Sequence, residues 1–313
     1  MRSVAYHHFP RIAFREGKKL LWNPIQKRSF KNRPEERVRL RLLDHLLLER
    51  NWSPHRISTE HAIQVNRQEN RKRADILCFN QDFTPKLLIE CKAENIKLGE
   101  RTGQQIAVYN KKVNAPYLML SNGLEDHLYH IDSERNISEL EKWPDFLSSN
   151  DESLNHSFDY WADRGFIGNK TEPVLRPWLG KAQISFWMDH SKQNSSNITY
   201  LDLDHSPSML HLEHYYKIFI LKDHIKIAIS FMATAFGGNR LVALINKNGR
   251  NEGIIEINLD LMVKDVKVNA TIYSTEGEKG SDARSFLSFD FAEFDDHQLQ
   301  HLPQNIINLF NHY

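Results

Sequence analysis

Two short apolar runs, Arg73 to Asn80 (RADILCFN) and Lys86 to Lys92 (KLLIECK), are separated only by the five residues QDFTP. Strand-length runs joined by so short a polar turn pair as an antiparallel hairpin. With the turn centred between Asp82 and Phe83, Asp75 lies directly across from Glu90. Lys92 shares the face of Glu90, because strand side chains repeat every two residues. Two facing carboxylates at the end of an apolar sheet repel unless something positive lies between them. A divalent cation with hard oxygen ligands, Mg²⁺ or Mn²⁺, is the economical solution. Lys92 beside it could orient or deprotonate a water and offset charge building on a phosphate, which is the chemistry of phosphodiester hydrolysis. Glu-x-Lys by itself is common on half-exposed strands, so the weight rests on the paired aspartate.

The surroundings suit a mixed sheet flanked by helices. In "RPEERVRLRLLDHLLLER", apolar residues at 38, 42, 43, 46 and 47 fall on one helical face, with Pro34 in the first turn. Strand-like runs at 56–65, 73–80 and 86–92 precede a helix carrying Ile106, Tyr109 and Val113, and the run "APYLMLSNG" (115–123) adds a buried strand. The order is that of an α/β domain over residues 1–130. Residues 131–169 turn polar and irregular and are expected to form a connector with short helices. From there the period becomes two: Ile225, Ile227, Ile229 and Phe231; Ile255, Ile257, Leu259 and Leu261; Val266, Val268, Ala270 and Ile272; Leu287, Phe289 and Phe291. This predicts a mostly antiparallel β-sandwich over 170–313, closed by a helix around "PQNIINLFNHY".

The net charge of +1 conceals a split: residues 1–130 hold 24 Lys and Arg against 14 Asp and Glu, the remainder 17 against 26. A basic first half suits a polyanionic partner, although charged faces are often merely solvated. Cys78 and Cys91 are the only cysteines, too few for a disulfide framework or a cysteine zinc site, which favours a reducing, cytoplasmic setting. The first residues lack the apolar core of a signal peptide, and no run approaches a membrane span, so no membrane is expected as a partner.

From about Leu21 to Gly123 the segments "NPIQKRSF", "PEERVR", Glu60, "RADI", "LLIECKA", Gln105 with "YN", and "PYLMLSNG" come in an order that resembles the PD-(D/E)XK nucleases, specifically the N-terminal region of type I restriction endonuclease R subunits. The resemblance implies a restriction-endonuclease-like core in which Asp75, Glu90 and the Cys91 carbonyl bind metal and Lys92 is the catalytic lysine. It also implies a helix-borne acid. Periodicity does not choose between Glu35 and Glu36; the resemblance favours Glu36, as metal ligand and catalytic acid. Gln105 and Tyr109, four apart on one helical face, look like the Gln-x-x-x-Tyr element of RecB-like nucleases, where such a pair supports the active site; singly they read equally as a capping amide and a core tyrosine. Arg39 falls on the apolar face of the first helix and requires an acidic partner there. Glu60 could reach the site from its strand or pair with a neighbouring arginine. The cations of "RQENRKR", Arg71, Lys72 and Arg73 among them, stand beside the proposed metal and suit phosphate contacts. Ala74 replaces the proline of the family name without removing a ligand. No GxxxxGK[ST] occurs, so no helicase motor of the R-subunit type is expected within these residues.

In the second half, Asp202, Asp204, His205, His211 and His214 do not follow the HExxH order and read as the wet face of a strand. The expectation is a Mg²⁺- or Mn²⁺-dependent endodeoxyribonuclease; the rival is a nucleic-acid-binding module that keeps the fold without catalysis. Expected partners are DNA, with RNA as the competing polyanion, a protein partner for the β-rich domain, and a second copy of the chain in a homodimer.

Overall fold

A computed structural model of the chain describes residues 1–16, 18–63, 72–147, 156–187, 197–201, 212–222 and 224–312. The chain divides into two units, Met1–Glu152 and Ser153–Tyr313. Among the described residues no helix is long and apolar enough to cross a membrane.

The first unit opens with an antiparallel three-stranded sheet, β1 (Ile12–Arg15), β2 (Lys18–Asn23) and β3 (Arg28–Lys31). These strands are short and rich in lysine and arginine, which is why no apolar alternation announces them. Helix α1 (Pro34–Asp44) begins on a proline, carries Glu35 and Glu36 in its first turn and Arg41 in its last, and runs into a π-turn at His45–Glu49. Then come β4 (Ile57–Ile63), β5 (Lys72–Phe79), β6 (Pro85–Cys91), α2 (Glu100–Val113), β7 (Tyr117–Ser121), β8 (Asp126–Ile131) and β9 (Ile137–Leu140). The strands form one six-stranded sheet in chain order. Only β6 and β7 pair parallel, joined by α2, since a parallel pair needs a crossover.

Two apolar layers sandwich this sheet. On one side Val38, Leu42, Leu43 and Leu46 pack against Ile76, Cys78, Leu87, Ile89 and Met119; on the other, Ile106 and Leu98 pack against Leu77, Leu88, Leu118 and Leu120. Among the described residues the α1-side cluster buries sixteen hydrophobic residues and the α2-side cluster eight. The hairpin pairs Ile76 with Ile89, Leu77 with Leu88 and Cys78 with Leu87, the register expected from the sequence, before slipping at Phe79 and Pro85. Residues 131–169, expected as a connector, are partly built into both units. Strand β9 completes the first sheet, and α3 (Phe158–Asp163), capped by the Ser157 hydroxyl accepting the Tyr160 N–H, lies in the second unit.

The second unit corrects the expected sandwich. Its strands β10 (Asn197–Leu201), β11 (His214–Lys222), β12 (Ile225–Ala233), β13 (Asn239–Lys247), β14 (Arg250–Asn258), β15 (Ala270–Ser274) and β16 (Gly277–Ser281) form a single seven-stranded antiparallel meander. Period two reports one buried face but not what covers it. Here helices do. Trp178 and Phe186 of α4 (Leu175–Trp187) pack edge-on against Phe231, and Phe186 also meets Phe219. Helix α7 (Leu302–Asn311) brings Phe310 so near Gly253 that a Cβ there would lie 2.5 Å from its ring. The opposite face buries Leu212, Tyr216, Ala228, Met232, Val242 and Leu244. Leu259 and Leu261, expected to prolong a strand, instead start α5 (Leu259–Val263), because the Asn258 side chain accepts the Leu261 N–H and turns the chain. Val266 and Val268 are exposed, and Phe289 and Phe291 lie outside any strand and crowd Trp178. The remaining short helix, α6 (His297–Gln300), sets Gln298 to accept from the Trp178 indole. Asp202, Asp204, His205 and His211 lie outside the described residues, and His214 is buried on β11.

Candidate active site

Regular pairing stops at Ile76 and Ile89, one step before the two acids. Ala74 packs with the α2-side cluster whereas Ile76, two residues on, packs with the α1 side. A continuous strand would put both on one face, so the alternation breaks at Asp75. Across β4 the ladder passes from Thr59–Ile76 to His61–Ala74 with no shift of register, the Glu60–Asp75 step lying outside the regular pairing, and the φ of Glu60, 54°, is left-handed. A non-glycine residue in that region is uncommon and costs backbone energy, a pattern that clusters at functional sites.

Asp75 stands at this interruption of the ladder. Its Oδ2 accepts the Cys91 N–H at 2.7 Å, and its Oδ1 accepts from Arg39 Nη2 at 2.6 Å. Arg39 also donates from Nη1 to Glu36 Oε2 at 2.6 Å and reaches Glu60 Oε1 at 3.5 Å. Lys92 Nζ donates to Glu90 Oε1 at 2.7 Å. Four acids from α1, β4, β5 and β6 thus gather around two cations. The sequence expectation placed a metal ion between Asp75 and Glu90; the structure sets a guanidinium against the first and an ammonium against the second. Glu36, not Glu35, faces the cluster, since Glu35 is exposed. Cys91 contributes its backbone to the site, while burial and the Asp75 charge push its thiol well above the usual range and keep the sulfur neutral.

At the edge of the cluster Arg28, on an exposed side chain, stands 3.9 Å from Glu60. Burial and then the neighbouring Asp75 charge push the Glu90 carboxyl up to about 7, against the pull of Lys92. Burial likewise raises Glu36, with Arg39 opposing and Glu60 and Asp75 adding to the effect. Burial alone would lower the Arg39 guanidinium, but Asp75 and the other acids hold it above its ordinary value. Glu36 Oε1 is buried and makes no hydrogen bond of ordinary geometry among the described residues. Solvent still reaches the cluster: the side chains of Asp75 and Lys92 are 17% and 20% exposed, that of Glu90 7%. Clustered carboxylate oxygens, open to solvent on one side, are the donor chemistry that suits Mg²⁺ or Mn²⁺.

Gln105 and Tyr109 ride on α2, the helix covering the face that Glu90 shares by alternation with Leu88; their side chains lie outside the described residues. Arg71 also lies outside them, and Lys72 and Arg73 begin β5 with their side chains undescribed.

Sequence reasoning missed the framework beneath the acids. Arg41 is fully buried and donates to the carbonyls of Ala5, Tyr6 and Gly123 and to Glu94 Oε1 at 2.6 Å. It binds the N-terminal segment, α1, the β7–β8 turn and the chain just past Lys92 into one block. An arginine amid apolar positions 38, 42 and 43 was the available signal. Gln26 Nε2 donates to Thr59 Oγ1 at 2.7 Å and so ties the β2–β3 hairpin beside Glu60.

Residues 34–144 match the family described as Type I restriction enzyme R protein N terminus (HSDR_N). The match takes in Glu36, Arg39, Glu60, Asp75, Glu90, Lys92, Gln105 and Tyr109, and leaves out β1–β3 and the second unit. It supports the resemblance to the R-protein N terminus and a restriction-related, nuclease-type role for this region. No curated protein matches the chain.

Proposed function

We propose that the first unit is a metal-dependent nuclease of the PD-(D/E)XK kind that hydrolyses DNA phosphodiester bonds. The observation that carries this reading is the convergence of Glu36, Glu60, Asp75 and Glu90 on Arg39 and Lys92 at the end of the β5–β6 hairpin, with Asp75 and Lys92 reached by solvent. Asp75 and Glu90, with the Cys91 carbonyl and Glu36, would hold Mg²⁺ or Mn²⁺. Bound there, the ion would polarise a phosphoryl oxygen and acidify a coordinated water. The chain's own groups do the rest. Cys91 N–H and Arg39 fix the Asp75 carboxylate from two directions, which limits its rotamers before substrate arrives. Lys92, held by Glu90 at the solvent-exposed side, presents an ammonium to offset charge on the phosphate under attack. Cations of the basic first half, Arg71, Lys72 and Arg73 included, would contact the phosphate backbone and position the duplex.

A second reading, a nucleic-acid-binding module without catalysis, is favoured by one contact set: both Asp75 oxygens are already engaged, by Arg39 and by Cys91. The two separate cleanly. Supercoiled plasmid, linear duplex and single-stranded DNA are incubated with Mg²⁺ or Mn²⁺, and Mn²⁺ binding is followed by calorimetry in the parent and in Asp75→Ala. The nuclease reading expects EDTA-sensitive cleavage lost in Lys92→Ala and Mn²⁺ binding lost in Asp75→Ala. DNA binding without metal binding or cleavage would select the second reading. Parallel assays on RNA distinguish the polyanion.

A further inference from the structure

The π-turn that ends α1 builds another cluster of ligating side chains, chemically unlike the acidic site. We propose that His8, His45 and Glu49 form a site for a borderline transition-metal cation, zinc by its donor chemistry. One ligand atom from each lies within 4.8 Å of the others. His8 Nε2 stands 2.6 Å from Glu49 Oε1, and His45 Nδ1 stands 3.1 Å from Glu49 Oε2.

The hydrogen-bond pattern around His45 points to a cation. Its Nε2 faces the Leu147 carbonyl at 2.9 Å, an acceptor only, so Nε2 carries the proton. In the neutral ring Nδ1 is then a lone pair, and it faces a carboxylate oxygen. Two acceptors in contact require a positive centre between them. A proton on Nδ1 would satisfy the contact, and so would a metal ion shared with His8 and Glu49; the Leu147 contact is then the outer bond by which ligating histidines are habitually oriented, the second ring nitrogen donating to a backbone carbonyl. Both imidazoles are buried, while Glu49 keeps a third of its side-chain surface exposed, leaving room for a water to complete four-coordination.

The π geometry bears on this as well. The Arg50 N–H bonds to the His45 carbonyl, five residues back, so the turn is wider than an α-turn where His45 and Glu49 converge. Such insertions are rare and recur at functional positions. Two imidazoles and one carboxylate suit zinc or its neighbours; the hard-oxygen acids around Asp75 suit magnesium. The ion would clamp the N-terminal segment, through His8, onto the end of α1, one turn beyond the point where Arg41 grips Ala5 and Tyr6.

The full chain is stripped with chelator, then titrated with Zn²⁺ against a chromophoric competitor and with Co²⁺ by visible absorption. The expected result is one tightly bound Zn²⁺ per chain, a Co²⁺ spectrum of low coordination number, and a melting temperature raised by Zn²⁺. Asp75→Asn should keep all three. His8→Gln and Glu49→Gln should each weaken Zn²⁺ by about a hundredfold or more, given that even outer partners of a metal site cost 10–100-fold. Glu49 is partly exposed, so its variant tests the site if His8→Gln does not fold. No stoichiometric Zn²⁺ in the parent, or Zn²⁺ binding that survives in Glu49→Gln and vanishes in Asp75→Asn, overturns the proposal. In that case the cluster is a hydrogen-bonded triad with a proton in the metal's place.

Discussion

The acidic site of the first unit and the charged cleft of the second shield their carboxylates to a similar degree, Asp75 at 17% exposure against Glu256 at 17% and Asp260 at 20%, yet they satisfy them differently. In the cleft, of about 750 Å³, Asp260 accepts from the Asn239 side chain at 2.8 Å and backbone at 2.7 Å, and Glu256 accepts from Arg240 at 2.5 Å and from the Tyr273 hydroxyl at 3.3 Å. The strands there stay in regular register, Arg240 opposite Asn258 and Val242 opposite Glu256. In the first unit the ladder is interrupted, Glu60 is left-handed, Glu36 Oε1 makes no ordinary hydrogen bond among the described residues, and Glu90 is pushed up to about 7 by burial and by Asp75. A network that exists to hold a fold closes its own hydrogen bonds. In the first unit the acids crowd one another instead, as the raised Glu36 and Glu90 carboxyls show, and a bound cation would relieve that crowding.

The largest effect expected from breaking this contrast is on rate. Lys92→Ala or Asp75→Asn should lower DNA cleavage by about a hundredfold or more, the scale of losing a positioned charge at a reacting phosphate. Asp260→Asn, in the other network, should leave cleavage unchanged. Plasmid nicking rates in the three variants check this, and equal losses would erase the distinction.

Next comes a pH effect that isolates the cost of burying an acid. Asp126 is fully buried, and burial pushes its carboxyl up to about 6, against hydrogen bonds from Ser121, the Val4 N–H and Ser3. Its folded value lies above the unfolded one, so between about pH 4 and 6 the folded state holds the extra proton and stability falls as pH rises, by about 3 kcal/mol in total. Urea unfolding of the parent should show that slope, and Asp126→Asn should lack it.

Third, Asp260→Ala should destabilise the second unit by about 2 kcal/mol, since it strands the buried Asn239 donors. Denaturant midpoints would detect it, with Mn²⁺ binding unaltered. Smallest of all is Arg28→Ala, which removes a mostly exposed cation 3.9 Å from Glu60 and should shift stability by less than about 0.5 kcal/mol.

Much of the first unit was legible in its residues because its signals are local. A five-residue turn sets the hairpin register as far as Ile76 opposite Ile89, one step short of the two acids. The apolar face at 38, 42, 43 and 46 marks α1. Arg39 within that face announced an acidic partner. What stayed hidden is non-local. The cation that reaches Asp75 comes from thirty-six residues upstream, and the fourfold grip of Arg41 depends on carbonyls from two distant segments. The left-handed turn at Glu60 left no mark, because no glycine stands there. In the second unit, alternation located β12, β14 and β15 but could not say whether a helix or another sheet covers them. Strands such as β16 (GEKGS) carry no apolar alternation to read.

That last strand has a further bearing. A meander ends in an open rim, whose unpaired N–H and C=O groups can recruit an extended segment from another molecule. Along Gly277–Ser281 the rim is only five residues long, and Glu278 and Lys279 stand out into water. Glycines at 277 and 280 deny an incoming strand any side chain to pack against. A last strand this short, charged and glycine-bearing offers little for end-to-end growth of the sheet.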